Sequence, residues 1–521
     1  MGRHQARARS TRRSRIGADP DGVRLRPRWQ GVRVSEAQLL GRRPNVVIVG
    51  GGISGLAAAS RLCRLRHDVD VTVLESSPEV GGKLRLGELE GLTLDLGAES
   101  VLATRPEGVA LLREAGLGAD IVHPTAARPR LVIDGDLVEL PTGLVMGVPT
   151  DLVELGRTRV LSSQSMARLP LDHVLPGTDI GSDISIGEYV GRRLGPEVVD
   201  KLVAPLIMGV YADRATAVSM RAAAPRLFEA ARTDRSLLAA ARRTMVRPRE
   251  GHEAAPVFAG LRGGVGRLPR VLADRLRSVG VVIETGATVR RLRRSSSGWE
   301  VVVGPTTSAR SIAADAVILA VPAPAAAKLV HGLSVQAETE LSEIETTSVA
   351  VVTLLYRRDD LPGGDLPDGS GYLVPPSQAR PVKAVTFSSH KWQWVEDAAS
   401  QRGLVAVRCS LGHADDVSTL QHGDDELVRI AADELAFVCR LGRARPVAST
   451  VTRWGGGLPR YAVGHVDRVA LITEALEALP GIAACGAAFD GVGIAACVSR
   501  AERAASWISQ GLGSDGEWRH G

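Results

Sequence analysis

The sequence predicts an α/β (α+β) fold: a parallel-sheet domain that is discontinuous in the chain, a mixed-sheet domain and a mostly helical insertion. Three observations predict it. Val46, Val47, Ile48 and Val49 form a β-branched-rich run with no polar member, as expected of a strand buried on both faces. Glycines follow, after which Ile53, Leu56, Ala59 and Leu62 recur at helical spacing, and Val69, Val71 and Val73 alternate into Leu74 and Glu75. That succession is a βαβ unit. Thirdly, the patterning changes along the chain. It is helical over 186–193 and 198–207, but over 345–415 apolar runs are broken by turns at Gly363-Gly364 and Gly369-Ser370-Gly371.

Taken in order, residues 1–43 are an Arg-rich tail without hydrophobic periodicity. Residues 44–142 begin the parallel-sheet domain and run into the mixed-sheet domain; 143–255 hold the helical insertion with further mixed-sheet elements. A second part of the parallel-sheet domain spans 256–335. In it Leu261-Arg262-Gly263-Gly264 opens a helix through Arg277, strands follow at 281–284, 287–292 and 299–303, and a buried strand at 316–321 stops at Pro322. The mixed sheet occupies 336–450. A third part of the first domain, 451–513, contains a glycine turn and closing helix at 482–508, leaving 514–521 as a tail.

Composition narrows the function. The chain has 521 residues, 44% of them hydrophobic and 23% charged, which suits a large folded protein rather than a small binding module. Only 3% are aromatic, so Val, Leu and Ala build the core. The formal charge of +6 is concentrated in Arg3, Arg7, Arg9, Arg12, Arg13 and Arg15, ahead of any acidic residue. A basic tail is not a basic stripe on a folded surface, so nucleic-acid binding has no support. Five cysteines without a C-x-x-C pair argue against a disulfide framework or a metal site. The longest apolar stretch, 316–327, is interrupted by Pro322 and Pro324, so no membrane span is expected.

Gly50-Gly51-Gly52-Ile53-Ser54-Gly55 fits G-x-G-x-x-G between strand and helix, the Rossmann-like context in which glycines permit a tight turn, approach of a pyrophosphate and close helix packing. Unpaired N–H groups at the helix start offer positive charge density to the phosphates. Glu75, at the end of the second strand, is placed to accept hydrogen bonds from ribose hydroxyls. The following segment, with Ser76 and Gly81-Gly82-Lys83, adds a second glycine turn and a cation. Two phosphate-directed turns point to a dinucleotide that stays bound, FAD rather than NAD.

These residues, together with Asp95-Leu96-Gly97-Ala98-Glu99-Ser100 and Arg105-Pro106, resemble the amine-oxidase-like flavoproteins, and within them the porphyrinogen oxidases of haem biosynthesis. Gly209-Val210-Tyr211-Ala212 with Ser219, Lys391-Trp392, Arg453-Trp454 with Pro459, Tyr461 and Gly464-His465, and Gly491-Val492-Gly493-Ile494 carry the resemblance over most of the chain. It implies an FAD-binding domain of amine-oxidase type, with the flavin held by Gly50 to Gly55, Glu75, Ser76, Gly82, Lys83, Gly97, Ala98, Glu99, Ser100, Val289, Trp454, Gly486, Val492, Gly493 and Ile494. The sequence departs from the family pattern at Asp213-Arg214, where Gly-Asp is usual, at Lys83, usually Arg, and at Ala495, frequently Pro.

The resemblance further implies oxidation of a porphyrinogen, with FAD accepting hydride and dioxygen reoxidising it to give hydrogen peroxide. Such a substrate is a flat apolar macrocycle with carboxylates on its rim. Arg105 and Arg130 are the candidates for those carboxylates, and Leu373 for a macrocycle face. No catalytic base is legible; His390 and His465 are the histidines to examine. The absence of an anchor and the aromatic-poor composition favour coproporphyrinogen III over protoporphyrinogen IX. Another flavoprotein substrate, such as an amine or a desaturase substrate, and a silent flavin-binding scaffold are the competing readings. The implied setting is cytoplasmic, with transient contact to the next haem-pathway enzyme, and no nucleic acid.

Overall fold

In the computed structural model, which describes residues 43–245, 256–296 and 298–519, the run from Val46 to Val49 is almost wholly shielded from solvent. The tail read at 1–43 lies outside the described residues except for Arg43. The strand Asn45–Val49 is the middle member of a five-stranded parallel sheet ordered Val282–Glu284, Asp70–Leu74, Asn45–Val49, Ala316–Leu319, Ile482–Ala484. Counted along the chain this order is 3-2-1-4-5. The direction of winding therefore reverses between the first and fourth strands, and a crevice opens beyond their carboxyl ends.

Side-chain alternation explains the unbroken apolar run. Val46 and Ile48 enter a core with Leu56, Leu62 and Val498, whereas Val47 and Val49 enter another with Trp299, Leu329 and Ile472. The helices Ile53–Leu65, Arg267–Ser278 and Ile494–Gly511 cover the first face; Ala323–Val330, Val335–Ser342 and His465–Glu477 cover the second.

The second sheet has seven strands, ordered Ala448–Pro459, Thr346–Arg357, Leu404–Leu411, Val382–Phe387, Gly371–Leu373, Pro129–Ile133, Asp136–Glu139. It is mixed, because Gly371–Leu373 and Pro129–Ile133 run parallel while the other neighbours are antiparallel. One face packs on the helix Asp424–Val438. On the other, Leu355 and Ala406 pack against Leu92, Leu94 and Trp392. Farther along that face Arg408, Thr386, Ala384 and Leu373 are only half-buried.

The insertion is helical and has its own core, running through Leu169, Tyr189, Leu202, Phe228 and Leu238. Within it Arg193 and Asp172 form an ion pair of 2.6 Å with almost no exposure. The pair is fully satisfied: Asp172 also accepts from the Ser236 hydroxyl and the Leu238 amide, and Arg193 donates to the Asp172 and Arg235 carbonyls.

Several boundaries differ from the sequence reading. The helix expected from 261 starts at Arg267, because Gly263 and Gly264 take positive φ and hold the chain in a turn. The strand expected at 316–321 stops at Leu319, and the strand expected at 287–292 runs from Val289 to Ser295. The helix expected over 198–207 is part of a longer helical run, 196–211, containing a π-helical turn at Val199–Val203 just before Pro205. The strand Ala448–Pro459 crosses the expected 450/451 boundary and lies in the seven-stranded sheet, while Val335–Ser342 packs on the five-stranded side. From Arg43 on, the described residues cluster as one compact unit, within which the two sheets and the insertion keep distinct hydrophobic clusters. Among the described residues no helix is long and apolar enough to cross a membrane.

Candidate active site

The site is built on the turn that leaves the first strand. Gly50 has φ of 110°, and a Cβ there would collide with the Ala320 backbone of the neighbouring strand. At Gly55 a Cβ would overlap the Gly50 carbonyl oxygen, so this glycine lets the helix Ile53–Leu65 close on the turn. Gly52 differs, since nothing lies within 4 Å of the Cβ it lacks. Its backbone faces open space. No side chain caps the helix and no acidic residue occupies its first turn, which leaves its first amides to a ligand.

Glu75 closes one side of the turn. Its carboxylate accepts from the Gly51 amide at 2.7 Å and from the Ser77 amide at 2.8 Å, with Ser76 Oγ at 3.3 Å. Two carboxylate oxygens carry about four acceptor positions, so capacity remains for hydroxyl donors. The second glycine turn is joined to the first: the Gly81 amide donates to the Gly51 carbonyl at 2.9 Å, and Gly82 takes φ of 57°. Lys83 follows on the wall. Among the described residues its ammonium has no carboxylate partner, and burial holds its pKa below the usual lysine range.

The opposite wall comes from the crevice between the first and fourth strands. Ala320, Val321 and Pro322 leave the fourth strand there, and the uncapped start of the C-terminal helix presents Val492 and Ile494. Gly493, between them, again has nothing within 4 Å of its absent Cβ. Together with Val289 these elements enclose about 620 Å³, a volume within the ordinary range for ligand cavities. Two helix N-termini, two glycine turns, an uncompensated ammonium and a carboxylate converging on one cavity suit a dinucleotide diphosphate with its ribose.

Residues 53–508 match the family model for flavin containing amine oxidoreductase. The chain belongs to that family. It is 37% identical over 469 residues to a coproporphyrinogen III oxidase of Mycobacterium tuberculosis, covering 89% of this chain and 97% of that one. It is 30% identical over 488 residues to the protoporphyrinogen oxidase of Homo sapiens, covering 88% and 97%. A crystal structure from Exiguobacterium sp. 255-15, provisionally named protoporphyrinogen oxidase, superposes with a TM-score of 0.78 at 28% identity, covering 90% and 99%. As a member of the flavin containing amine oxidoreductases, the chain is an FAD-dependent oxidoreductase, and the open cradles at Gly52 and Gly493 fit that cofactor.

Of the flavin residues expected from the sequence, Gly50, Gly52, Ile53, Ser54, Glu75, Ser76, Gly82, Lys83, Val289, Gly486, Val492 and Ile494 lie on the cavity wall. Gly51 and Gly55 stand behind it as parts of the turn, and Gly493 is the cap between two wall residues. Gly97, Ala98, Glu99 and Ser100 are elsewhere. They form a loop lying behind Lys83, and Glu99 is turned away into ion pairs with Lys391 and Arg408. Trp454 lines a neighbouring cavity of about 630 Å³, with the Arg85 guanidinium 5.9 Å from its ring centre. The glycines that follow it, Gly456 and Gly457, reach the cofactor cavity instead.

Sequence reasoning missed those two glycines, the Ala320–Pro322 bend and Cys497, which also lines the cavity. The bend was legible only as a strand end; strand order makes it a wall, and order is not a local property. A hollow of about 840 Å³ between the strand Val289–Ser295 and the helix Ala323–Val330 is larger. It is a surface groove lined by Arg290, Arg291, Arg293, Arg294 and Lys328, as charged protection of a sheet-edge strand would leave.

The substrate candidates lie on and beside the seven-stranded sheet, with Leu373 on its half-buried face and Arg130 on the opposite one. Arg130 lies next to Tyr372 in the parallel pair, and Leu373 approaches Gly209 of the helix Ala204–Tyr211. Arg105 precedes the helix Pro106–Glu114. Neither arginine has an ion-pair partner among the described residues. Neither histidine lines the cofactor cavity. His390 has Asp365 at 3.0 Å on one ring nitrogen and the Gly369 carbonyl at 3.1 Å on the other. His465 is 3% exposed, stacks on Tyr461 at 4.2 Å, and burial pushes its pKa down to about 4. The unusual Asp213 is buried and pairs with Arg460 at 2.8 Å, tying the end of Ala204–Tyr211 to the segment after Ala448–Pro459.

Proposed function

We propose that this protein dehydrogenates coproporphyrinogen III to coproporphyrin III, with dioxygen as acceptor and hydrogen peroxide as product. The single observation that carries the reading is the 37% identity, over 97% of its length, to a protein named coproporphyrinogen III oxidase. FAD, when bound, supplies a two-electron acceptor for hydride leaving a substrate carbon. The chain's own residues bind and orient. The amides at Gly52 to Ser54 and the Gly81-Gly82 turn take the diphosphate, Lys83 neutralises it, and Glu75 receives the ribose hydroxyls. Val289 offers its backbone to the adenine edge, and Gly486 to Ile494 lie against the ring system. The same reading keeps Gly97 to Ser100 and Trp454 as residues that support the flavin from behind. Arg105 and Arg130 bind rim carboxylates bidentately, and Leu373 packs on the macrocycle. The protein acts in the cytoplasm and passes its product to the next haem-pathway enzyme through a transient contact.

Protoporphyrinogen IX is the second reading, supported by the 30% identity to the human protoporphyrinogen oxidase. Porphyrin fluorescence separates the two. The purified protein should convert coproporphyrinogen III with kcat/KM at least about tenfold above that for protoporphyrinogen IX, equivalent to about 1.4 kcal/mol of transition-state discrimination. Equal rates, or the reverse order, would count against the first reading.

A further inference from the structure

Glu99 was expected at the cofactor and is found in a buried cluster. Its side chain is 13% exposed, one carboxylate oxygen is held by Lys391, and the other lies 2.6 Å from Arg408, itself 11% exposed. Arg408 uses its second terminal nitrogen on the Gly97 carbonyl, also at 2.6 Å. Both cations belong to the seven-stranded half of the protein, Arg408 to the strand Leu404–Leu411 and Lys391 to the short helix Ser388–Lys391. What they grip is a loop of the cofactor half.

That loop lies flush against Lys83. The Ala98 amide donates to the Lys83 carbonyl at 3.0 Å, the Leu96 amide donates to the Arg85 carbonyl at 2.9 Å, and a Cβ on Gly97 would overlap the Lys83 carbonyl oxygen. No slack separates the gripped loop from the residue whose side chain lines the cavity. A charge-assisted hydrogen bond is sensitive to displacements of a few tenths of an ångström, so holding the backbone of Lys83 holds its contribution to cofactor binding.

We propose that Arg408 is a positioning residue for the cofactor: through the Gly97 carbonyl and Glu99 it fixes the loop that fixes Lys83, and so sets where the Lys83 ammonium stands on the cavity wall. The inference rests on the FAD reading of the cavity. It makes the substrate-side sheet part of the cofactor site, although Arg408 does not line the cavity. Burial alone would raise the Glu99 pKa, but Lys391 and Arg408 outweigh it and hold it at about 2, so the grip persists across neutral pH.

The test is the rate at which FAD leaves the holoenzyme, read as recovery of free-flavin fluorescence after dilution, for the wild type, Lys83→Met, Arg408→Gln and the double variant. Each single substitution should speed release about tenfold, the scale of one hydrogen bond to a charged group. The double variant should release FAD no faster than Lys83→Met, within about twofold. Release accelerated by the product of the two effects, about a hundredfold, would overturn the proposal, because a staple that merely stabilises the fold acts independently of Lys83. Should Arg408→Gln not fold, Glu99→Gln replaces it in the same cycle, with the same two outcomes. Wild-type protein that purifies without any flavin would instead sink the FAD reading itself.

Discussion

At Gly52 and Gly55 two residues of one motif have opposite surroundings, and this separates binding from folding. A methyl group at Gly52 enters the cavity without touching protein, whereas at Gly55 it overlaps the Gly50 carbonyl. Gly52→Ala should therefore keep the wild-type Tm within about 1 °C and lose FAD affinity at least about tenfold. Gly55→Ala should lower stability by about 2 kcal/mol or more in urea titration, through overpacking. A second pair contrasts two carboxyl groups. Glu99 has a depressed pKa of about 2, so its contribution is fully present above about pH 4.3 and is lost as pH falls toward 2. Asp95 has the opposite sign. Burial raises it to about 6 despite amide bonds from Val265 and Gly266, so stability declines as pH rises from about 4 to 6. Stability curves of Glu99→Gln should lack the acid-side loss, and those of Asp95→Asn the decline between pH 4 and 6.

The elements differ in how far a local reading could find them. The first βαβ unit was fully legible, since strand, turn, helix and Glu75 lie within 31 residues of chain and each follows from local sterics. The ion pairs of Glu99 were not legible because its partners lie 292 and 309 residues away, and no local pattern announces an ion pair of that reach. The insertion illustrates an element whose stability is separate from the site. Replacing Asp172 with Ala leaves Arg193 buried and unpaired, and should cost about 3–5 kcal/mol. FAD release from the folded variant should stay at the wild-type rate, since Asp172 touches no cavity residue. Faster release would mean that the insertion helps to shape the cofactor cavity.

Across the whole molecule, the reversal of winding between Asn45–Val49 and Ala316–Leu319 decides where a ligand goes, and segments separated by more than 400 residues supply its walls. Sequence alone located the segments; their assembly required the order of the strands. The seven-stranded sheet carries Arg130 and Leu373 on neighbouring strands, Leu373 on the half-buried face and Arg130 on the opposite face, shared with Tyr372. The two halves together form one oxidoreductase. Anaerobic titration of the purified protein with coproporphyrinogen III tests this most directly, with flavin absorbance and porphyrin fluorescence followed together. The visible flavin band should bleach without oxygen, coproporphyrin fluorescence should follow once oxygen is admitted and the reoxidised flavin can complete the three two-electron steps, and Gly52→Ala protein freed of flavin should show neither. A flavin band that persists in the presence of excess coproporphyrinogen III, with no fluorescence appearing, would contradict the account.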